Sequence, residues 1–314
     1  MIREFRATDA PAVVGLLTSQ FPAEEALLGT RPEGFLKVVA RITRWDMRLL
    51  LGVLRLFGKR VFQFLVYEEN GRLVGTTLLT FPARSVFLSM VVVDPTVRRR
   101  GFAKALLEDA RSIGRRMHRQ YLALDVLADN TPARTLYEGK LGYRALREIT
   151  YMTREGPAEV GPAATPLPNG IRPVRKSDNA ALVAIARRSL PAEVAEVLPV
   201  PRNLVGGDRM GDRILGSESV AWVIDRGSGP EALITASWSP LNTAGHLNNP
   251  IVSETADPTL VRELVRLALA WCGAKGSIRV LSPVPRYSTR SRAALEAEGF
   301  RDALSVWTLY RRVE

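Results

Sequence analysis

Val91-Val92-Val93-Asp94-Pro95-Thr96-Val97-Arg98-Arg99-Arg100-Gly101-Phe102-Ala103-Lys104-Ala105-Leu106-Leu107 is the stretch whose reading decides the fold. Its β-branched apolar opening predicts the end of a buried strand, Val86 to Val93. Asp94-Pro95 stops that strand. Three arginines and a glycine follow, and an amphipathic helix is predicted from Gly101 to about His118. A strand, a basic turn and a helix start together form an anion site. The first helical amides have no partner within the helix, and the macrodipole adds partial positive charge there. Gly101 lets an anion approach the backbone closely.

A second segment, Asn130-Thr131-Pro132-Ala133-Arg134-Thr135-Leu136-Tyr137-Glu138-Gly139-Lys140-Leu141-Gly142-Tyr143, reads as a short capped helix. Asn130 or Thr131 caps it, Pro132 suits its first turn, and Gly142 ends it. Tyr137 is either an amphipathic core residue or a functional phenol. Together, Arg98-x-x-Gly101-x-Ala103 and this segment resemble the GCN5-related N-acetyltransferases (GNAT). Their patterns are R/Q-x-x-G-x-G/A and N-x-x-A-x-x-L-Y-x-x-x-G-F/Y.

The resemblance implies an α/β fold on a mixed sheet and an enzyme that moves an acetyl group from acetyl-CoA to a primary amine. The acceptor is a small molecule or a peptide, and the co-substrate acetyl-CoA is needed without a metal. The pyrophosphate is expected on Arg98, Arg99, Arg100, Gly101, Phe102, Ala103 and Lys104. The pantetheine arm is expected along Val91, Val92 and Val93, with Asn130 helping to hold it. Tyr137 is expected to protonate the departing thiolate. The strand Val86–Val93 carries no carboxylate, so the base stays open among Ser89, Asp125 and Glu68, acting through a water or the substrate's own ionisation. A different class, a non-catalytic acyl-CoA-binding sensor or scaffold, is the alternative.

The 314 residues suggest two domains. With 46% hydrophobic and 24% charged residues, a packed core is expected rather than disorder. One cysteine, Cys272, excludes a disulfide framework, and two distant histidines, His118 and His246, argue against a histidine metal cluster. His118 reads as a solvated helix end and His246 as an ordinary hydrogen-bonded histidine. Cytoplasmic location is expected, since Met1 to Arg6 lack a signal-peptide core and no apolar run spans a bilayer. The net charge of +12 is carried mainly by arginine and fits an anionic ligand. Without an aromatic stacking motif, nucleic acid ranks low as a partner.

The chain repeats itself. Ile2-Arg3-Glu4-Phe5-Arg6-Ala7-Thr8-Asp9 returns as Ile171-Arg172-Pro173-Val174-Arg175-Lys176-Ser177-Asp178, and Leu141-Gly142-Tyr143-Arg144 as Glu298-Gly299-Phe300-Arg301. In each first stretch a short strand leads to a helix cap, at Thr8 or Asp9 in the first copy. The expected organisation is an acetyl-CoA-binding domain over 1–154, a Pro/Gly/Ala-rich linker over 155–169 and a second copy over 170–314. An intramolecular pseudo-dimer would follow. The second copy is expected to be degenerate. Around Ile251 to Leu260 it lacks the glycine loop and carries Glu254 and Asp257, which repel phosphate, and the Gly142/Gly299 anchor sets Ala294 opposite Tyr137.

Two strands, Val61–Tyr67 and Leu73–Phe81, are predicted around an Asn70-Gly71 hairpin, and Tyr121–Leu127 is another strand. A helix over 33–57 carries Lys37, Arg41, Arg44 and Arg48 on one face. That face is read as solvated, with an anionic membrane surface as the less favoured partner.

Overall fold

The computed structural model describes residues 1–20, 62–156, 167–205, 216–240 and 242–313. The predicted basic helix over 33–57 and most of the linker lie outside the described residues.

The first half begins with β1 (Ile2–Glu4) and helix α1 (Ala10–Gln20), then β2 (Phe62–Glu69), β3 (Arg72–Thr80) and β4 (Ser85–Val93). Helix α2 (Phe102–Arg116) and β5 (Tyr121–Leu127) follow, then the short α3 (Thr131–Arg134), a π-helical turn (Thr135–Lys140) and β6 (Arg144–Glu155). The second half repeats the plan. It runs through β7 (Ile171–Pro173), α4 (Asn179–Arg188), α5 (Ala192–Val197), β8 (Glu218–Asp225), β9 (Pro230–Trp238), β10 (Ala244–Leu247) and β11 (Ile251–Val252). It closes with α6 (Pro258–Ala274), β12 (Arg279–Pro285), α7 (Thr289–Ala297) and β13 (Arg301–Arg312).

Local chemistry explains the match with prediction. Asn70 and Gly71 have φ of 50° and 77°, the left-handed pair that a tight hairpin needs. α2 buries Phe102, Leu106, Leu107, Ala110 and Ile113 along one stripe, as its periodicity predicts. The expected cap at Asp9 differs in detail. Asp9 sits in a 3-10 turn ahead of α1, where its carboxylate accepts from the Arg6 amide at 2.7 Å and pairs with Arg3 at 2.7 Å. The repeat reproduces this, with Asp178 accepting from Arg175 at 2.7 Å and pairing with Arg172 at 2.8 Å. In each copy an arginine on the opening strand ties that turn to a carboxylate at a strand end, Glu68 or Asp225.

One mixed sheet runs through both halves in the order β1-β2-β3-β4-β5-β13-β6-β12-β10-β9-β8-β7, with β11 paired to β9. Among the described strands only β4–β5 and β10–β12 are parallel. The final strands are exchanged: β13 pairs with β5 of the first half, and β6 with β12 of the second. Each fills the free edge of the other half, which would otherwise expose unpaired backbone groups. The register between β6 and β13 is symmetric. Ile149 pairs with Val306 at the same separation (306 − 149) as Gly142 from Gly299 (299 − 142), with Glu148↔Trp307 and Thr150↔Ser305 on either side. An approximate two-fold axis therefore passes between Ile149 and Val306.

The cores follow the exchange. Leu309, fully buried on β13, belongs to the first-half cluster of Leu88, Leu106, Leu122 and Leu124. Met152, fully buried on β6, belongs to the second-half cluster of Ile234, Leu264 and Phe300.

Candidate functional site

The sheet opens at a fork between β4 and β5. These strands pair only where Ser85–Leu88 meet Tyr121–Leu124, although both continue beyond. A bulge lies on β4 at the fork. Thr76↔Val92 and Leu78↔Ser89 leave one extra residue on β4, at Met90–Val91. Met90 has φ 54° and its side chain is exposed. The Asp94 amide bonds to the Val74 carbonyl at 2.9 Å, which fixes which β4 residues face β3. By the two-residue alternation of an antiparallel ladder, Val92 turns its polar backbone to β3, and Val93 turns its own to the fork. The Val92 side chain is core, and Val91 is half-buried at the bulge itself.

Below the fork, Asp94 accepts from the Thr96 amide at 2.9 Å and from Arg72, which holds its carboxyl below the ordinary range, the Thr96 bonds being the larger cause. The chain then passes Arg99 (φ 66°) and Gly101 (φ 88°) into α2. The Ala105 amide bonds to the Gly101 carbonyl at 2.9 Å, so the amides of Phe102, Ala103 and Lys104 precede the first intrahelical bond. No side chain caps them, and a Cβ on Gly101 would meet nothing within 4 Å. This open, uncapped helix start suits a phosphate.

The three arginines differ. Arg98 donates to the Val93 carbonyl at 3.3 Å and to Gln20. Arg100 pairs with Glu69 at 2.7 Å and lies 5.1 Å over the Phe102 ring. Arg99 and Lys104 are exposed and make no ion pair among the described residues. Phe102 packs against Tyr67 at 4.6 Å, so its backbone rather than its ring is available to a ligand. Asn130 accepts from the Ala133 amide at 3.2 Å as the cap of α3.

Tyr137 stands in the π-helical turn, on the α2 side of the sheet with Leu124 and Val126. It is 6% exposed, packs against Tyr143 at 5.9 Å, and its hydroxyl makes no hydrogen bond among the described residues. Burial pushes its phenol up to about 12. The π turn is one residue of extra length. From cap Asn130 to Gly142 is 12 residues, against 11 from cap Ser288 to Gly299 (142 − 130, 299 − 288). An inserted residue of this kind re-aims the side chains around it, here Tyr137.

The three base candidates separate. Glu68 is tied to Arg3 at 2.7 Å beside β1. Ser89 lies at the bulge. Asp125 is the first β5 residue past the fork, on the face opposite Tyr137. Asp125 is exposed to solvent, yet desolvation by the protein around it raises its carboxyl pKa, against the lowering by Thr308 and Arg147. It accepts from Thr308 Oγ1 at 2.7 Å, on β13 of the second half. That half also covers this face: the Glu196 carboxylate accepts from the Tyr121 hydroxyl, Glu193 from Tyr310 at 2.7 Å, and the Val197 carbonyl from Ser85. Helix α5 thus roofs the β4–β5 surface of the first half. Sequence reasoning missed Thr308 and α5, because nothing local ties them to residues 75 to 183 positions away.

The second half keeps the frame but changes the groups at the bulge and at the helix start. Its bulge is present, since Ala236↔Leu247 and Leu233↔Ile251 leave one extra residue, but Pro250 occupies the position of Val91 and has no N–H. Asp257 caps α6 with its own carboxylate, accepting from the Thr259 amide at 2.8 Å. His246 lies on β10 opposite Ser237, where burial lowers its pKa.

Residues 32–143 match the model of the acetyltransferase (GNAT) family. This segment is similar to the acetyltransferases of that family. The whole chain has a tandem GNAT fold. It superposes on a tandem GNAT protein from the clavulanic acid biosynthesis pathway with a TM-score of 0.64 at 20% identity, covering 100% of this chain and 98% of that one. A GCN5-related N-acetyltransferase from Sphaerobacter thermophilus gives 0.63 at 17% identity, covering 100% and 96%. No curated protein matches the sequence. The matched family model is one of acetyltransferases and supports acyl transfer as the general chemistry. Among the described residues no helix is long and apolar enough to cross a membrane.

Proposed function

We propose that the chain is an acetyl-CoA-dependent N-acetyltransferase that acetylates a primary amine at one site, in residues 1–154. Residues 155–169 link this part to a degenerate copy, residues 170–314, whose role is to complete and roof the first site. A cytoplasmic location suits the acetyl-CoA supply. The observation that carries the reading is the contrast between the halves. A bulged fork leads to an uncapped basic helix start in the first, while in the second the bulge carries Pro250, which has no N–H, and Asp257 caps the helix start.

In this reading acetyl-CoA supplies the activated acyl group. The amides of Phe102, Ala103 and Lys104, with Arg99 and Lys104 side chains, bind its pyrophosphate. Arg98 and Arg100 shape the turn through Val93, Gln20 and Glu69 and add to its positive field. Val93 and the bulge at Met90–Val91 offer backbone groups to the pantetheine arm and to the thioester carbonyl, while Val92 shapes the strand from the core side. Asn130 holds the start of α3 beside that arm.

The amine enters from the face of Asp125, opposite Tyr137. Asp125 takes a proton from the ammonium, the neutral nitrogen forms the amide bond as the C–S bond breaks and gives up its second proton to solvent, and Tyr137 gives its proton to the thiolate and regains one from solvent. A carboxylate raised by desolvation is the better proton acceptor.

Isothermal titration with acetyl-CoA, paired with thiol release against an amine panel, tests this. One site per chain and amine-dependent thiol release are expected. Two equivalent sites, or saturable binding with no thiol release from any amine, would overturn it; the latter result fits a sensor.

A further inference from the structure

Arg147 is the residue around the fork that the proposed chemistry leaves unused. It lies on β6, half-buried, and Nε donates to Thr308 Oγ1 at 3.3 Å, the same oxygen that donates to Asp125 Oδ1 at 2.7 Å. Three adjacent strands, β5, β13 and β6, thus set a carboxylate, a hydroxyl and a guanidinium in a row on one face. A single oxygen atom separates the two charged groups. Arg147 Nη1 reaches the Tyr287 hydroxyl at 3.5 Å. No carboxylate lies in salt-bridge range of Arg147 among the described residues.

Arg147 makes no direct ion pair and meets Asp125 only across Thr308, so its remaining donors are open to a second anion. The same side chain lines a cavity of about 300 Å³ between the halves, with Tyr287, Trp307, Glu148 and Glu193 around it. The two acids there are already engaged, Glu148 with Arg286 at 3.6 Å and Glu193 with Tyr310 at 2.7 Å. Arg147 is therefore the available charge of that cavity, and it is positive. Asp125, outside the residues that line this cavity, lies across Thr308 from Arg147 and supplies the negative charge.

We infer that the acceptor is a zwitterionic amino acid, its ammonium held by Asp125 and its carboxylate by Arg147. Such a ligand satisfies both groups together, and the short spacing across Thr308 suits an amine and a carboxylate separated by few bonds. A guanidinium presents two parallel donors to a carboxylate, and a site built on such a pair rejects analogues lacking it, since its buried charge then stays unpaired. Each half contributes: Asp125 and Arg147 come from the first, Thr308, Tyr287 and the α5 roof from the second. The inference deepens the acetyl-transfer reading above and rests on it.

The test uses the full-length protein and acetyl-CoA, with three matched acceptor sets: free L-amino acids, their carboxamides, and the amines lacking the carboxyl group. At least one free amino acid should be acetylated with kcat/KM roughly 30-fold or more above its carboxamide and its descarboxy amine. Arg147→Gln should collapse that ratio toward one, mostly through KM for the acid, with the calorimetric affinity for acetyl-CoA retained. Arg147→Lys keeps the charge on a slimmer side chain and should restore part of the ratio, which separates recognition from damage to β6. Equal turnover of acid, amide and amine overturns the inference. Acetylation of simple amines but of no amino acid overturns it too, while leaving the acetyltransferase reading intact. Failure of acetyl-CoA to bind at all removes both.

Discussion

Tyr137→Phe separates the two roles of one side chain. The ring is 6% exposed and packs against Tyr143, Leu124 and Val126, all of which phenylalanine preserves. The hydroxyl has no protein hydrogen bond among the described residues, but its oxygen is not fully buried, so water can satisfy it. Removing it should change stability by no more than about 1 kcal/mol. For a chain of this size that is a shift of roughly 2 °C or less in Tm. Activity should change far more. If the phenol protonates the thiolate, its loss should lower kcat by roughly 10²-fold, equivalent to about 2.7 kcal/mol of barrier. Because burial lifts the phenol to about 12, it keeps its proton across the ordinary assay range, so the parent should show no alkaline limb from this group below about pH 10. The assays are thiol release under saturating acetyl-CoA and a thermal melt of both proteins. Parental kcat in the variant would refute the acid role. A fall of several degrees in Tm would refute the unpaired hydroxyl.

Gly101→Val places a β-branched residue at φ 88° with open space around it, so the cost is backbone strain of about 1–3 kcal/mol rather than a clash; calorimetry should show acetyl-CoA binding weakened at least tenfold. Leu309→Ala empties a fully buried site that β13 supplies to the first-half core, and should cost about 2–5 kcal/mol in urea denaturation. Residues 1–155 expressed alone lack β13 beside β5, so cooperative melting should appear only when residues 156–314 are added; a cooperatively folded monomer would contradict the exchange. Asp9 and Asp178 have their pKa values lowered, first by the hydrogen bonds from Arg3 and Arg172. Their stabilisation is complete above the unfolded carboxylate value near 3.9 and is lost as pH falls through the depressed folded values. Urea midpoints measured from pH 6 down to pH 2 should fall less steeply for the Asp9→Asn/Asp178→Asn double variant than for the parent.

The sequence determined what depends on neighbours along the chain. The valine run, Asp94-Pro95 and the arginines before Gly101 specify strand, turn and helix start through periodicity, a strand breaker and a left-handed glycine, and these are where the structure places them. The Asn70-Gly71 hairpin and the repeated Arg3/Asp9 and Arg172/Asp178 turns were legible for the same reason. Phosphate-repelling Asp257 was visible too, although its use as the cap of α6 was not. The tertiary structure alone decided which strand lies beside which. β6 and β13 read alike, and nothing local says that each must pair with the opposite half. That choice follows from closing the free edges of β5 and β12 and from burying Met152 and Leu309 in each other's cores. The bulge at Met90, the π turn at Tyr137 and the row Asp125–Thr308–Arg147 belong to the same class. Each is set by register between strands or by one residue of extra length, and a shift of one position along β13 would turn Thr308 away from Asp125 to the other face of the sheet.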